Sequence, residues 1–197
     1  MSESLDIHAQ QRLFTEARSQ NAWLPSPVSD ELLRELYELT RWGPTSMNCS
    51  PMRVAFVRSP EAREQLLSAV SPGNLQKVRT APVVAIVAYD TRFYEQLPKL
   101  FPHRPDAGDI FRQQPELAED TCFRNGSLQG GYFILAARAL GLDCGPLSGF
   151  NAALVNSLFF EGTTVRANFL CCLGYGDPVG LFPRSPRLSF DEACTVL

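Results

Sequence analysis

Residues 41–52, RWGPTSMNCSPM, decide how this chain is read. They follow a stretch of helical periodicity and precede an apolar run, VAFV, at 54–57. Pro44 and Pro51 fix φ and remove two backbone donors. Thr45, Ser46, Asn48 and Ser50 offer short hydroxyl and amide groups to a planar polar ligand at little steric cost. The same composition also makes an ordinary helix-to-strand turn, and on these residues alone the turn is the commoner outcome. The flanking chain has to decide.

Upstream, residues 6–18 read as a first helix, with Ile7, Leu13, Phe14 and Ala17 on one side. Ser29 is a good N-cap for a second, with Asp30 and Glu31 in its first turn. Leu32, Leu33, Leu36 and Leu39 carry its periodicity through Trp42. Downstream, residues 53–58 read as a buried strand. Ser59, Pro60 and Glu61 open a third helix in the order cap, N1 proline and first-turn acid. Residues 71–81, SPGNLQKVRTA, hold a helical turn or two. Residues 82–89, PVVAIVAY, are apolar on both faces, which places that strand centrally in a sheet.

Residues 90–111 are looser and rich in aromatics and prolines, so a lid over a pocket and a surface loop fit equally. The longest helical pattern runs over 116–140. Its second half, GGYFILAARAL, is apolar nearly all round apart from Arg138, a pattern that buries a helix on most sides. Gly126, Gly130 and Gly131 each cost about 1 kcal/mol relative to alanine. Close approach of another helix or a ligand would offset that, and a dimer interface is one such use. An extended piece within 141–150, a helix capped by Asn151, a strand at 168–175 and a capping box at Ser189 and Glu192 complete the chain. With no repeat and no Gly/Ser linker, one α+β domain over 1–197 fits best, a sheet with helices on both sides.

Composition excludes several classes. The chain has 197 residues, 45% apolar and 20% charged, with a net charge of −3. Scattered basic residues on an acidic chain argue against a nucleic-acid surface. No run approaches the roughly 18–20 apolar residues of a membrane span. The start, MSESLDIHAQQ, lacks the basic and apolar regions of a signal peptide, so the cytoplasm is the expected location. Six cysteines without C-x-x-C spacing and only two histidines give no metal site. The cysteines read as reduced and mostly buried, with Cys171 and Cys172 on opposite faces of a strand.

Covalent catalysis is poorly supported as well. There is no G-x-S-x-G, His8 and His103 read as surface residues, and Glu119 with Asp120 reads as a solvated helix face. No catalytic side chain is identified. The glycines of GYGDPVG at 174–180 do not form a dinucleotide fingerprint, because Pro178 and the prolines beyond it cannot open a helix.

Small polar and basic clusters lie instead at the ends of elements: Arg18 and Ser19 with Asn21, residues 44–50, Asn74 with Lys77, Ser148 with Gly149, and Arg184 with Arg187. Singly, each suits a structural role. Together, in this order and spacing, they resemble the nitroreductase family of flavoproteins, from residue 14 to 197. The stretches RWGPTSMNCSP, GNLQK, APVVAIVAYD, LAEDTCFRNGSLQ, RALGLDCGPLSGF and GYGD with PRLSFDEA are similar to one branch. That branch contains the enzyme that reduces malonic semialdehyde in pyrimidine-ring degradation.

The resemblance implies a central, mostly antiparallel sheet flanked by helices, an intertwined homodimer, bound FMN, and NAD(P)H as reductant. It places Arg18, Ser19 and Arg187 on the FMN phosphate, where charge-assisted donors belong. It places Asn74 and Lys77 at the ribityl chain and pyrimidine edge, and Ser148 and Gly149 near flavin N5. Thr45, Ser46 and Asn48 would reach over from the second subunit. Ala17 and Asn21 stand where the family often has basic residues, Ser148 where a glutamate is common, and Ser50 where a glutamine is. The implied substrate is malonic semialdehyde or a similar short 3-oxo acid, reduced to the hydroxy acid (3-hydroxypropionate), with Arg104 or Arg112 holding its carboxylate and water as proton source. The alternatives are a broad nitro, quinone or flavin reductase and a non-catalytic flavin-binding relative. The partners expected are an aldehyde or other small acceptor and a second copy, with neither nucleic acid nor membrane.

Overall fold

The computed structural model describes residues 3–197. Its helices are α1 (Ile7–Gln10), α2 (Asp30–Thr40), α3 (Pro60–Leu67), α4 (Leu75–Thr80), α5 (Leu97–Leu100), α6 (Asp109–Gln113), α7 (Pro115–Ala139), α8 (Ala152–Phe160) and α9 (Phe190–Ala193). Four strands, β1 (Met52–Val57), β2 (Val83–Asp90), β3 (Asp143–Leu147) and β4 (Val165–Gly174), form one sheet in the order β1-β2-β4-β3. Every pairing is antiparallel. The α+β fold with a flanked antiparallel sheet is therefore the one the chain adopts.

Strand alternation sets two core layers. Val84 and Ile86 of β2 and Leu170 and Cys172 of β4 face α3, α4 and α8, with Leu66, Val78 and Val155 packed on them. Val83, Ala85 and Val87, with Cys171 and Leu173, face α2 and α7, where Leu36, Phe133 and Ala137 meet them. Each face follows from the two-residue period of a strand. Cys171 and Cys172 thus point to opposite layers, as their adjacency requires.

Several boundaries differ from the sequence reading. The first helix ends early: α1 gives way to a π-helical turn, Gln11–Thr15, and the chain beyond it lies extended against the sheet. Helix α2 stops at Thr40, where the Thr40 hydroxyl donates to the Leu36 carbonyl, rather than at Trp42. Residues 91–113 are not an irregular loop. They fold into short helical turns around a third apolar cluster of Phe93, Leu97, Phe111 and Cys122, which also buries Cys49 and packs Met47. Helix α7 is less buried than its composition implies, since Phe123, Leu128 and Tyr132 are exposed along one side. Gly126 and Gly130 face neither a helix nor a ligand. A Cβ on Gly130 would sit 2.6 Å from the Phe169 ring of β4, so these glycines let α7 lie close to the sheet.

Candidate functional site

The edge strand β3 positions two groups of the residues singled out above. At its start, Ser19 pairs with Cys144 in a parallel bridge, and the Gln20 N–H donates to the Cys144 carbonyl at 2.9 Å. Just beyond its other end lie Ser148 and Gly149. The five residues from Cys144 to Gly149 span roughly 17 Å of extended chain.

At the first end, Arg18 donates to the Phe182 carbonyl and Arg184 Nη2 donates to the Ala17 carbonyl at 3.1 Å, which folds the C-terminal segment back over the N-terminal one. A cavity of about 700 Å³ opens between them, lined by Arg18, Ser19, Asn21, Arg138, Arg184 and Arg187 among others. Four of its described lining residues are arginines and none is a carboxylate. Elsewhere Arg53, Arg58, Arg104 and Arg112 each sit on an aspartate. Arg187 Nη1 turns back on the Ser185 and Pro186 carbonyls, 3.0 Å from each. A cavity with this much uncompensated positive charge suits a dianion such as a phosphate monoester.

At the second end, the Ser71 N–H donates to the Gly149 carbonyl at 2.9 Å and the Asn74 Nδ2 donates to it at 3.3 Å. Lys77 Nζ lies 3.5 Å from the Pro146 carbonyl, and burial lowers its ammonium below the usual lysine range. A Cβ on Gly149 would lie 2.4 Å from Asn74 Nδ2 and would displace that amide. Asn74, Lys77 and Gly149 are thus brought together as a set, with Ser148 exposed beside them.

Thr45, Ser46 and Asn48 are not brought to either group. They precede β1 at the end where Met52 pairs with Tyr89, whereas Cys144 reaches Val83 through Leu173 at the opposite end of the sheet. The six residues from Val83 to Tyr89 put about 20 Å between the loop and the first group, and β2 and β4, lying between β1 and β3, separate it from the second across the sheet. Within the chain these side chains hold their own loop. Thr45 Oγ1 accepts the Ser50 N–H at 3.1 Å, Asn125 Oδ1 accepts the Ser46 N–H at 2.8 Å, and Asn48 Nδ2 donates to the Leu100 carbonyl at 2.8 Å. The bonds retain Met47, Asn48 and Ser50 at φ of 53°, 51° and 39°, a left-handed run that non-glycine residues rarely adopt.

Other expectations change. Arg104 pairs with Asp106, and Arg112 pairs with Asp109 while its Cζ lies 5.7 Å from the Tyr94 ring, both pairs being exposed to solvent. Glu119 is not simply a solvated face, since it accepts the Tyr89 hydroxyl at 2.9 Å. Two residues escaped the sequence reading as site residues. Gln20 is buried between Gly145 and Gly176 with its Oε1 unpartnered, and Arg138 lines the cationic cavity with a buried Nε that has no partner. Arg138 had one signal, being the charge in an otherwise apolar helical stretch. Among the described residues no cluster of His, Cys, Asp and Glu could hold a metal ion. No helix among them is long and apolar enough to cross a membrane.

Fold and cavity together define an α+β protein with an arginine-lined cavity beside an edge strand. The chain belongs to the nitroreductase family, whose model matches residues 15–176. It is 60% identical over 185 residues, 93% of this chain and 94% of the other, to a protein of Cupriavidus pinatubonensis (strain JMP 134 / LMG 1197) provisionally named an NADH dehydrogenase/NAD(P)H nitroreductase. It is equally 60% identical over 186 residues, 93% and 95% of the two chains, to HadB of Ralstonia pickettii, which carries the same provisional name. Among solved structures, the nitroreductase ydfN of Bacillus subtilis superposes with a TM-score of 0.88 at 22% identity, covering 98% and 100% of the chains. A nitroreductase of Exiguobacterium sibiricum in complex with FMN gives 0.81 at 20%, covering 100% and 99%. These two likenesses are of fold.

Proposed function

We propose that this chain is an FMN-dependent NAD(P)H oxidoreductase of a single domain, acting in the cytoplasm as a homodimer on a small-molecule acceptor. The observation that carries this reading is the cavity of arginines without a carboxylate at one end of β3, with Asn74, Lys77 and Gly149 at the other. The names of the two relatives and the FMN of the Exiguobacterium protein agree with it. When bound, FMN supplies the hydride relay between NAD(P)H and the acceptor.

In this reading Arg18, Ser19 and Arg187 hold the phosphate. Asn74 orients the ribityl chain, and the Lys77 ammonium lies by the pyrimidine edge, where a cation favours the reduced, anionic ring. Ser148 and Gly149 present backbone beside the reactive face. Thr45, Ser46 and Asn48 come from the second copy, since a chain's own loop lies about 20 Å away along the sheet. Exposed apolar side chains support that assembly: Trp42 is 76% exposed, and Phe182 and Leu188 of the C-terminal arm are 72% and 70% exposed. Soluble chains seldom leave so many large apolar groups in water unless another surface covers them.

For the acceptor we infer malonic semialdehyde, reduced to 3-hydroxypropionate by hydride at the aldehyde carbon and a proton from water. This rests on the resemblance of the six stretches quoted above to that branch. A broad nitro or quinone reductase is the second reading. The provisional names of the two relatives at 60% identity, NADH dehydrogenase/NAD(P)H nitroreductase, favour it. NAD(P)H oxidation by the purified protein with malonic semialdehyde, nitrofurazone or menadione separates the two. Turnover of the aldehyde is expected, and turnover of only the nitro compound or quinone would replace the first reading with the second.

A further inference from the structure

The phosphate cavity has a member that the motif positions do not include. Arg138, on the last turn of α7, lines it together with Arg18, Arg184 and Arg187. Its Nη1 donates to the Leu13 carbonyl at 2.8 Å, and its own carbonyl accepts Arg12 Nε at 2.8 Å, which ties the N-terminal turn to α7. That exchange fixes the guanidinium without neutralising it. Its Nε is buried and unpartnered, and no carboxylate pairs with it among the described residues. A buried charge-bearing donor with no acceptor is unfavourable unless a ligand's charge answers it.

Between Glu16 and Trp23 the adjoining segment supplies one cation, Arg18. Ala17 and Asn21 flank Arg18 and Ser19 without a charge, and Asn21 directs its amide to the Gly180 carbonyl at 3.4 Å. A second cavity, of about 610 Å³, lies across Arg18 and Arg138 from the first, and the two share Ala17, Arg18 and Arg138 as a wall. Asp6, Glu16 and Asp143 also line the second cavity, whereas the first holds Arg18 and Arg138 with Arg184 and Arg187 and no carboxylate among its described lining residues, so an anion in the first meets all four guanidinium groups.

Resting on the FMN reading above, we propose that Arg138 is a phosphate-binding residue of this site, supplying from the end of α7 the positive charge absent at positions 17 and 21. Its preference is for the phosphate monoester and not for the flavin ring. It follows that Arg138 should govern how strongly the protein distinguishes FMN from riboflavin, which has the same ring and ribityl chain without the phosphate.

The test is titration of the full chain with FMN and with riboflavin, followed by quenching of flavin fluorescence, for the wild type, Arg138→Met and Arg138→Lys. Arg138→Met should weaken FMN about tenfold, the size of one charge-assisted contact, and leave riboflavin within about twofold. Arg138→Lys should keep most of the FMN preference. Equal weakening of both flavins, or no weakening of FMN, would overturn the proposal in favour of a purely structural clasp. If Arg138→Met does not fold, Arg138→Gln against Arg138→Lys gives the same comparison. A wild type that does not prefer FMN to riboflavin would refute the cofactor reading itself; a preference untouched at Arg138 would refute only this residue's part in it.

Discussion

Arg18, Arg184 and Arg187 make their hydrogen bonds to backbone carbonyls, which direct a guanidinium without cancelling its charge. An arginine held in this way keeps its attraction for a phosphate, whereas one on a carboxylate has largely lost it. Arg187→Ala should accordingly lower FMN affinity about tenfold, measured by equilibrium titration. Unchanged affinity would remove Arg187 from the phosphate grip. At this scale the sequence was partly legible. Arg18, Ser19 and Arg187, which the family resemblance grouped on one phosphate, line one cavity. Arg138 was not visible as a site residue, because its place depends on where a 25-residue helix ends relative to the first turn of the chain. The linear pattern contains no record of that contact.

Among the elements, β3 does the most to define the site, and it was the least evident in sequence. Asp143–Leu147 contains a glycine and a proline, both poor strand formers, and reads only as an extended piece. Pro146 is tolerated because the strand lies at the sheet's edge. Gly145 has a specific reason: a Cβ there would sit 2.6 Å from the Gln20 carbonyl, in the segment that carries Arg18 and Ser19. Gly145→Ala should cost about 1–3 kcal/mol of stability by overpacking, and should weaken FMN binding as that segment is displaced. Urea denaturation and flavin titration check the two effects, and a variant with wild-type values in both would show that the segment is not clamped there. By contrast β2 was clear at once, since eight largely apolar residues in a row suit only a strand buried on both faces. Residues 91–113 were ambiguous because their helical turns are too short to show a period. What orders them is a shared cluster of aromatic rings, with Phe93 and Phe111 4.9 Å apart.

Across the whole molecule, buried thiols should make stability fall at alkaline pH. Burial pushes Cys49 up to about 11, and Cys122 and Cys172 to about 12. An unfolded thiol titrates near ~8.5. Between that pH and the folded values, the unfolded chain has released protons that the folded chain retains, so stability is full below about pH 8.5 and falls as pH rises. Lys77, lowered by burial, acts with the opposite sign, but it is one group against several. The urea midpoint in the presence of reductant should therefore be lower at about pH 9.5 than at neutral pH. A flat profile would mean that the thiols are accessible in the folded protein. The assembly is the other property of the molecule as a whole. In the proposed site the loop carrying Thr45, Ser46 and Asn48 comes from a second chain, so FMN affinity should fall when the protein is diluted to monomer. Affinity independent of protein concentration across that transition would place the site within one chain.

The most direct measurement is to load the purified full chain with FMN, add NADH or NADPH without oxygen, and follow the long-wavelength flavin band. The account predicts one FMN bound per chain, bleaching of that band by NAD(P)H, and its return when an electron acceptor is admitted. A protein that binds no FMN, or whose bound FMN neither reduced nucleotide bleaches, would contradict it.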